Sequence, residues 1–218
     1  MSLHTLTLLR FTYKKLKEKL TVSDSKKLFH EQFPYVIPGL YKRIVDEMLV
    51  ELNLLNHQNE FIQDYLFCIG LTETFKELTK GYKPDKHLDL LFDALCCSSN
   101  FKTKEIKEIS QKSQDEFKEK SYNDLLNLMK EKSSSKIYPS RILNLGIYTI
   151  ISNSKDIKGK NESDLSKMIF DAFEELNLSR NKAEKDIGIY KSTLSKMEQA
   201  KELIEELRIK EKKKESKK

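Results

Sequence analysis

Helix breakers are scarce in this chain: its 218 residues include only six glycines and four prolines. That argues against an all-β sandwich or barrel, whose many turns need residues that adopt positive φ, and against a glycine-rich loop that cradles phosphate. With 34% charged and 38% hydrophobic residues, the composition fits long, exposed amphipathic helices around one core. The length suits one domain with an appended arm. The expected fold is therefore all-α: a multi-helix bundle with a long C-terminal helix.

Apolar spacing supplies the plan. Residues 3–19 are weakly amphipathic through Leu6, Leu9, Tyr13 and Leu16, and 1–20 reads as a basic extension of little consequence. Ser23 or Asp24 caps a short helix that ends before Pro34, and Phe33 to Gly39 is a stiff apolar connector. From Leu40 to His57 the residues Leu40, Ile44, Val45, Met48, Leu52 and Leu55 form one stripe, widened by Leu49 and Leu54. Another helix covers about 60–80 with Gly81 at its C′ position, and Pro84-Asp85 opens the next. Segment 100–135 is Lys-, Glu-, Ser- and Gln-rich and reads as a polar, mobile helical hairpin ending in Ser133-Ser134-Ser135. Pro139–Ser152 is the most buried-looking stretch, and Ser163 starts a further helix. These make a bundle domain over 21–178.

The last helix runs from about Ser179 to Lys214 with Gly188 as its one breaker, and 179–218 forms the arm with its lysine-rich tail. Ile187, Tyr190, Leu194, Met197, Lys201, Ile204 and Arg208 follow 3-4 spacing for roughly three heptads. Thirty-odd helical residues span about 45–50 Å, more than a domain of this size is wide, so the C-terminal half is expected to protrude. Leu194, Met197, Lys201, Ile204 and Arg208 are the candidate partner-binding residues.

The net charge of +6 is unevenly placed. Residues 1–20 and 210–218 contribute +4 each, leaving the body near −2. A groove that binds nucleic acid carries its excess on the folded body, with arginines and aromatics interleaved. Only five of the 40 basic residues here are arginine, which does not suit bidentate phosphate or base readout. A nucleic-acid- or ribosome-associated helical protein using its lysine-rich ends remains the alternative reading.

Little points to catalysis. His4, His30, His57 and His87 form no H-x-x-x-H pair, and Cys68, Cys96 and Cys97 form no C-x-x-C; the cysteines read as small apolar fillers on buried helix faces. No nucleotide-binding or nucleophile-elbow motif occurs. Gly70 and Gly146 lie inside apolar helices, where close helix packing explains them. Asp46, Glu47 and Glu51 share one helix with Arg43, which reads as an exposed, ion-paired face. The reading is of a non-enzyme without cofactor or metal. No apolar run approaches the ~20 residues of a spanning helix.

Several blocks resemble one family in its own order: Val22-Ser-Asp-Ser-Lys-Lys-Leu-Phe-His30, the run from Phe33-Pro-Tyr-Val-Ile-Pro-Gly39 to Leu55, Phe67-Cys-Ile-Gly-Leu-Thr72 and Gly81-Tyr-Lys-Pro84. Leu91-Phe-Asp-Ala-Leu-Cys96, Asn144-Leu-Gly-Ile-Tyr-Thr-Ile-Ile151 and the run from Lys185-Asp-Ile-Gly188 to Ala200 follow. The sequence over about 21–207 looks like the thylakoid formation proteins, or photosystem II biogenesis proteins, of cyanobacteria and plastids. That resemblance implies a cofactor-free, all-helical accessory protein, peripheral on the cytosolic or stromal side of thylakoids and also soluble in the cytoplasm. It implies a role in thylakoid biogenesis and photosystem II assembly and repair, through a membrane-bound FtsH-type AAA+ protease as partner, with no catalytic residues to carry over. The lysine-rich middle region and residues 1–20 depart from the family pattern, and the Lys, Asn and Ile bias looks like that of an AT-rich genome.

Overall fold

A computed structural model describes residues 19–132, 137–157 and 160–215, with the side chains of 208 and 211–215 excepted. The expected helix over 3–19 and the serines 133–135 lie outside these residues. Nine α-helices occupy the described residues: α1 Val22–Gln32, α2 Gly39–Asn56, α3 Tyr65–Leu78, α4 Leu88–Cys97, α5 Thr103–Phe117, α6 Tyr122–Lys132, α7 Arg141–Ser152, α8 Glu162–Glu175 and α9 Arg180–Glu215. No strand occurs among them, and the all-α expectation holds.

Local chemistry sets many of the boundaries. Thr21 and Asp24 form a reciprocal capping box at the start of α1. Asp64, Ser140 and Asn161 cap α3, α7 and α8 by accepting from Phe67 N, Leu143 N and Asp164 N. Asn100 and Asn177 adopt positive φ after α4 and α8, where the amides of Phe101 and Leu178 donate back to the carbonyls of Cys96 and Phe173. Gly81, at φ +84°, turns the chain two residues beyond the C-cap Thr79, one position later than its expected C′ place.

The centre of the molecule is the crossing of α3 and α7. In α3 the six consecutive residues Leu66 to Leu71 are all buried, and in α7 so are the six from Ile142 to Ile147. A helix apolar all round has to be enclosed on every side. Gly70 and Gly146 sit at the crossing itself: a Cβ built on Gly70 falls 1.9 Å from the carbonyl oxygen of Ile142, and one on Gly146 falls 2.0 Å from that of Leu66. The two glycines let the backbones touch, as their place in apolar helices suggests.

Two halves of the core meet on this pair. Phe67, Cys68, Leu71, Phe75 and Leu78 of α3 pack with α1, α2 and α4, whereas Leu66 and Ile69 pack with α6, α7, α8 and the start of α9. The polar segment 100–132 is bound into the same core. Ile106, Phe117, Leu125, Leu126 and Met129 are buried, and Ser110 on α5 shares a 2.6 Å hydrogen bond with Thr72 on α3. Small buried serines let an otherwise polar helix approach closely while keeping its hydroxyls satisfied.

Two expectations need correction. Leu54 does not widen the stripe of α2; it is 53% exposed on the opposite side. Glu51 does not belong to an exposed ionic face. Arg43 and Glu47 do pair at the surface, at 2.8 Å, but Glu51 turns inward and accepts from Nε of Arg141 on α7 at 2.8 Å, with Nη2 on the same oxygen. Their separation of 90 residues hides the pair from any reading of local spacing. Burial pushes the Glu51 carboxyl above its ordinary range, and the Arg141 guanidinium opposes that shift.

Candidate interaction surface

Among the described residues no group of three or more His, Cys, Asp or Glu is placed to hold a metal ion, and no helix is long and apolar enough to cross a membrane. His57 bonds the carbonyl of Asn53 through Nδ1 at 2.7 Å, and His87 stacks on Tyr35 at 4.0 Å. The thiols of Cys68 and Cys96 are buried, and burial raises both, Cys68 to about 12. Cys97 differs from the expected buried filler: it is exposed at the end of α4. With native protein one thiol of three is therefore expected to react with a disulfide reagent within minutes, and the other two only on unfolding. Rapid labelling of two or three thiols in the folded chain contradicts this packing.

The feature that stands apart from the bundle is α9. Its first half is anchored. Ala183, Ile187 and Met197 are buried, Tyr190 and Leu194 are half-buried, and buried Asp186 accepts from Nδ2 of Asn144 on α7 at 2.8 Å. Tyr190 meets Tyr148 edge to face and packs against both halves of the core. Around the outside, Arg180 reaches Asp171, Glu174 and Glu184. Among the described side chains of α9, Lys201 is the last that is not exposed, and its stem passes Gly81.

Residues 202–207, 209 and 210 are all exposed, and the helical run from 202 to 215 is about 20 Å long. The arm carries Leu203 (57% exposed), Ile204 (41%), Leu207 (50%) and Ile209 (44%). So much unpartnered apolar surface on one short helical run marks an interaction surface.

Of the five residues that sequence spacing singled out, Leu194, Met197 and Lys201 face the body of the protein, and Met197 is fully spent on the core. Ile204 is exposed, and the side chain of Arg208 lies outside the described residues. The exposed apolar residues Ile189, Leu203 and Leu207 were missed. Their signal is present in the sequence as a second stripe, Ile189, Thr193, Lys196, Ala200, Leu203 and Leu207, again at 3-4 spacing and one residue earlier at every step than the first. One residue is ~100° around a helix, so the two stripes occupy adjacent faces. The bundle takes up the inner stripe as far as Lys201 and leaves Ile189, Lys196, Leu203 and Leu207 of the outer one exposed, with Thr193 and Ala200 half-buried.

Beside the outer stripe runs a groove of about 560 Å³ between α9 and α2, lined by Leu40, Ile44, Gly188, Ile189, Thr193 and Lys196 among others. A Cβ on Gly188 would meet nothing within 4 Å, so the groove is open there. Lys185 and Lys196 on its rim join no ion pair among the described residues.

The same plan recurs in known proteins. A family model described as thylakoid formation protein matches residues 21–218. Protein Thf1 of Prochlorococcus marinus strain MIT 9312 is 78% identical over 199 residues, covering 91% of this chain and 99% of that relative. Protein Thf1 of Synechococcus sp. strain CC9902 is 35% identical, covering 87% and 89% of the two chains. The solved structure of Psb29 superposes with a TM-score of 0.79 at 26% identity, over 90% of this chain and 99% of that one. A match that begins at the capping box of α1 and runs through the arm, together with a shared all-helical fold, places this chain in the thylakoid formation protein family.

Proposed function

We propose that the protein is a non-catalytic accessory of thylakoid formation and of photosystem II assembly and repair. It acts from the cytosolic face of the thylakoid membrane by associating with a membrane-bound FtsH-type AAA+ protease. The observation that carries this reading is the protruding end of α9, a helix that presents Leu203, Ile204 and Leu207 to solvent, clear of the other described residues. Helix-in-groove recognition uses apolar anchors at i, i+3, i+4 and i+7, and Leu207 stands at i+4 from Leu203 and i+3 from Ile204. Family membership supports the thylakoid role, and the name Psb29 of the related structure supports the link to the photosystem. The lysines of 210–218 add attraction to an anionic lipid surface, each of them contributing about 1 kcal/mol close to the membrane.

The test is a pull-down from solubilised thylakoid membranes with the full chain and a 1–197 truncation as baits. The truncation keeps Ala183, Ile187 and Met197, the buried anchors of α9. Protease subunits are expected on the full chain and not on the truncation. Recovery by both baits removes the arm from the proposal. Recovery of RNA or ribosomes in place of the protease overturns the functional reading.

A further inference from the structure

The groove between α2 and α9 is bordered on its α9 side by one row at 3-4 spacing: Lys185, Ile189, Ser192 and Lys196. A cation stands at each end of this row, with an apolar side chain and a hydroxyl between. The two lysines are eleven residues apart, close to three full turns, so they share one face of the helix about 16 Å from each other. Leu40 and Ile44 of α2 and Met197 of α9 make the rest of the trough apolar. Its volume of about 560 Å³ is in the range of clefts that hold a ligand.

Charge along this groove is unbalanced in one direction. Its two acids are already answered, Glu47 by Arg43 at 2.8 Å and Glu184 by Arg180 at 3.0 Å. The unanswered charges are those of Lys185 and Lys196, so the groove complements a ligand that is negative at both ends. A fatty acid or a lipid carries its charge at one end and leaves the second lysine unused. An extended peptide meets both. Acids at i and i+4 of such a segment fall on one face about 13 Å apart, with i+2 on the same face midway between them. The long lysine stems close the remaining gap. Ile189 and Thr193, between the two lysines, also border a recess of about 40 Å³ that reaches Met48 and Leu78, a place for one small apolar side chain at i+2. The open space at Gly188 lets a backbone lie across the trough.

We infer that the groove between α2 and α9 docks an extended acidic segment of a partner protein, of the pattern acid-x-apolar-x-acid, with its two carboxylates on Lys185 and Lys196. This site is separate from the arm, and the inference does not rest on the protease reading, because the assay below contains only the chain and a peptide.

Isothermal titration of the full chain with the peptide acetyl-Ser-Glu-Thr-Val-Thr-Glu-Ser-amide tests it. Saturable one-to-one binding is expected. A peptide of the same composition with its glutamates adjacent, acetyl-Ser-Thr-Glu-Glu-Val-Thr-Ser-amide, is expected to bind about tenfold more weakly, because it reaches one lysine at a time. Lys185→Gln with Lys196→Gln, both at exposed positions, is expected to weaken the first peptide by about the same factor while Tm stays unchanged. Gly188→Phe, which fills the trough without altering its charge, is expected to abolish binding, again with Tm unchanged. Equal affinity for the two peptides assigns the binding to the lysine-rich tail and overturns the proposal. So does the lack of saturation below about 2 mM peptide, or binding indifferent to Lys185→Gln/Lys196→Gln or to Gly188→Phe. Decanoate that binds as tightly as the first peptide, and is lost with Gly188→Phe, makes the groove an acyl-chain site and overturns it too.

Discussion

Gly70→Ala is expected to lower the stability of this protein by about 3 kcal/mol, although alanine inside a helix ordinarily stabilises by about 1 kcal/mol relative to glycine. The reversal comes from the α3–α7 crossing. The new methyl carbon falls 1.9 Å from the Ile142 carbonyl oxygen and 2.9 Å from the Gly146 amide nitrogen, and both are backbone atoms of a buried helix. No side chain can swing aside, so the helices must separate along a crossing that both halves of the core share. At 2–4 °C per kcal/mol for a chain of this size, Tm drops by roughly 6–12 °C. Gly146→Ala is expected to behave alike, because its Cβ meets the Leu66 carbonyl oxygen at 2.0 Å. Gly188→Ala, where nothing lies within 4 Å, should be neutral or stabilising and serves as the control. Thermal unfolding followed by circular dichroism decides it: a Gly70→Ala variant as stable as the parent would mean the helices do not cross this closely.

Arg141→Met is expected to cost about 3 kcal/mol at neutral pH, because it leaves the part-buried Glu51 carboxylate without its counter-charge. The loss has a pH signature. Burial already holds the Glu51 pKa above its ordinary 4.5, and Arg141 is the strongest influence pulling it down. Without the guanidinium the folded-state pKa rises further, so the folded chain keeps a proton that the unfolded chain has released. Stability then falls as pH rises from 4.5 through the folded value, and the variant differs least from the parent near or below 4.5. Exchanging both partners, Glu51→Met with Arg141→Met, is expected to recover most of the loss, since an apolar pair of similar volume needs no counter-ion. Urea titrations at several pH values measure this. A deficit in Arg141→Met that does not change with pH would show that Glu51 is not held in its charged form by Arg141.

Much of this molecule could be read from its sequence because the signals are local. Few breakers and 3-4 apolar spacing act within a few residues, so they set the all-α class and many of the helix extents without help from the rest of the chain, although the caps that form at α1 and α8 are Thr21 and Asn161 rather than the expected Ser23 or Asp24 and Ser163. The glycines of α3 and α7 were legible as close-packing sites for the same reason: a glycine in an apolar helix is costly unless something occupies the space a side chain would fill.

What the sequence could not decide were choices between equivalent local patterns. Helix α9 carries two 3-4 stripes one residue apart, and spacing alone does not say which the bundle buries; only the positions of α3, α7 and α8 did, and they left Ile189, Leu203 and Leu207 outside. In the same way Glu51 and Glu47 look alike on the helix surface, until a partner 90 residues away draws Glu51 inward. Periodicity is a property of one helix. Burial belongs to a pair of them, and so does the surface this protein offers to others.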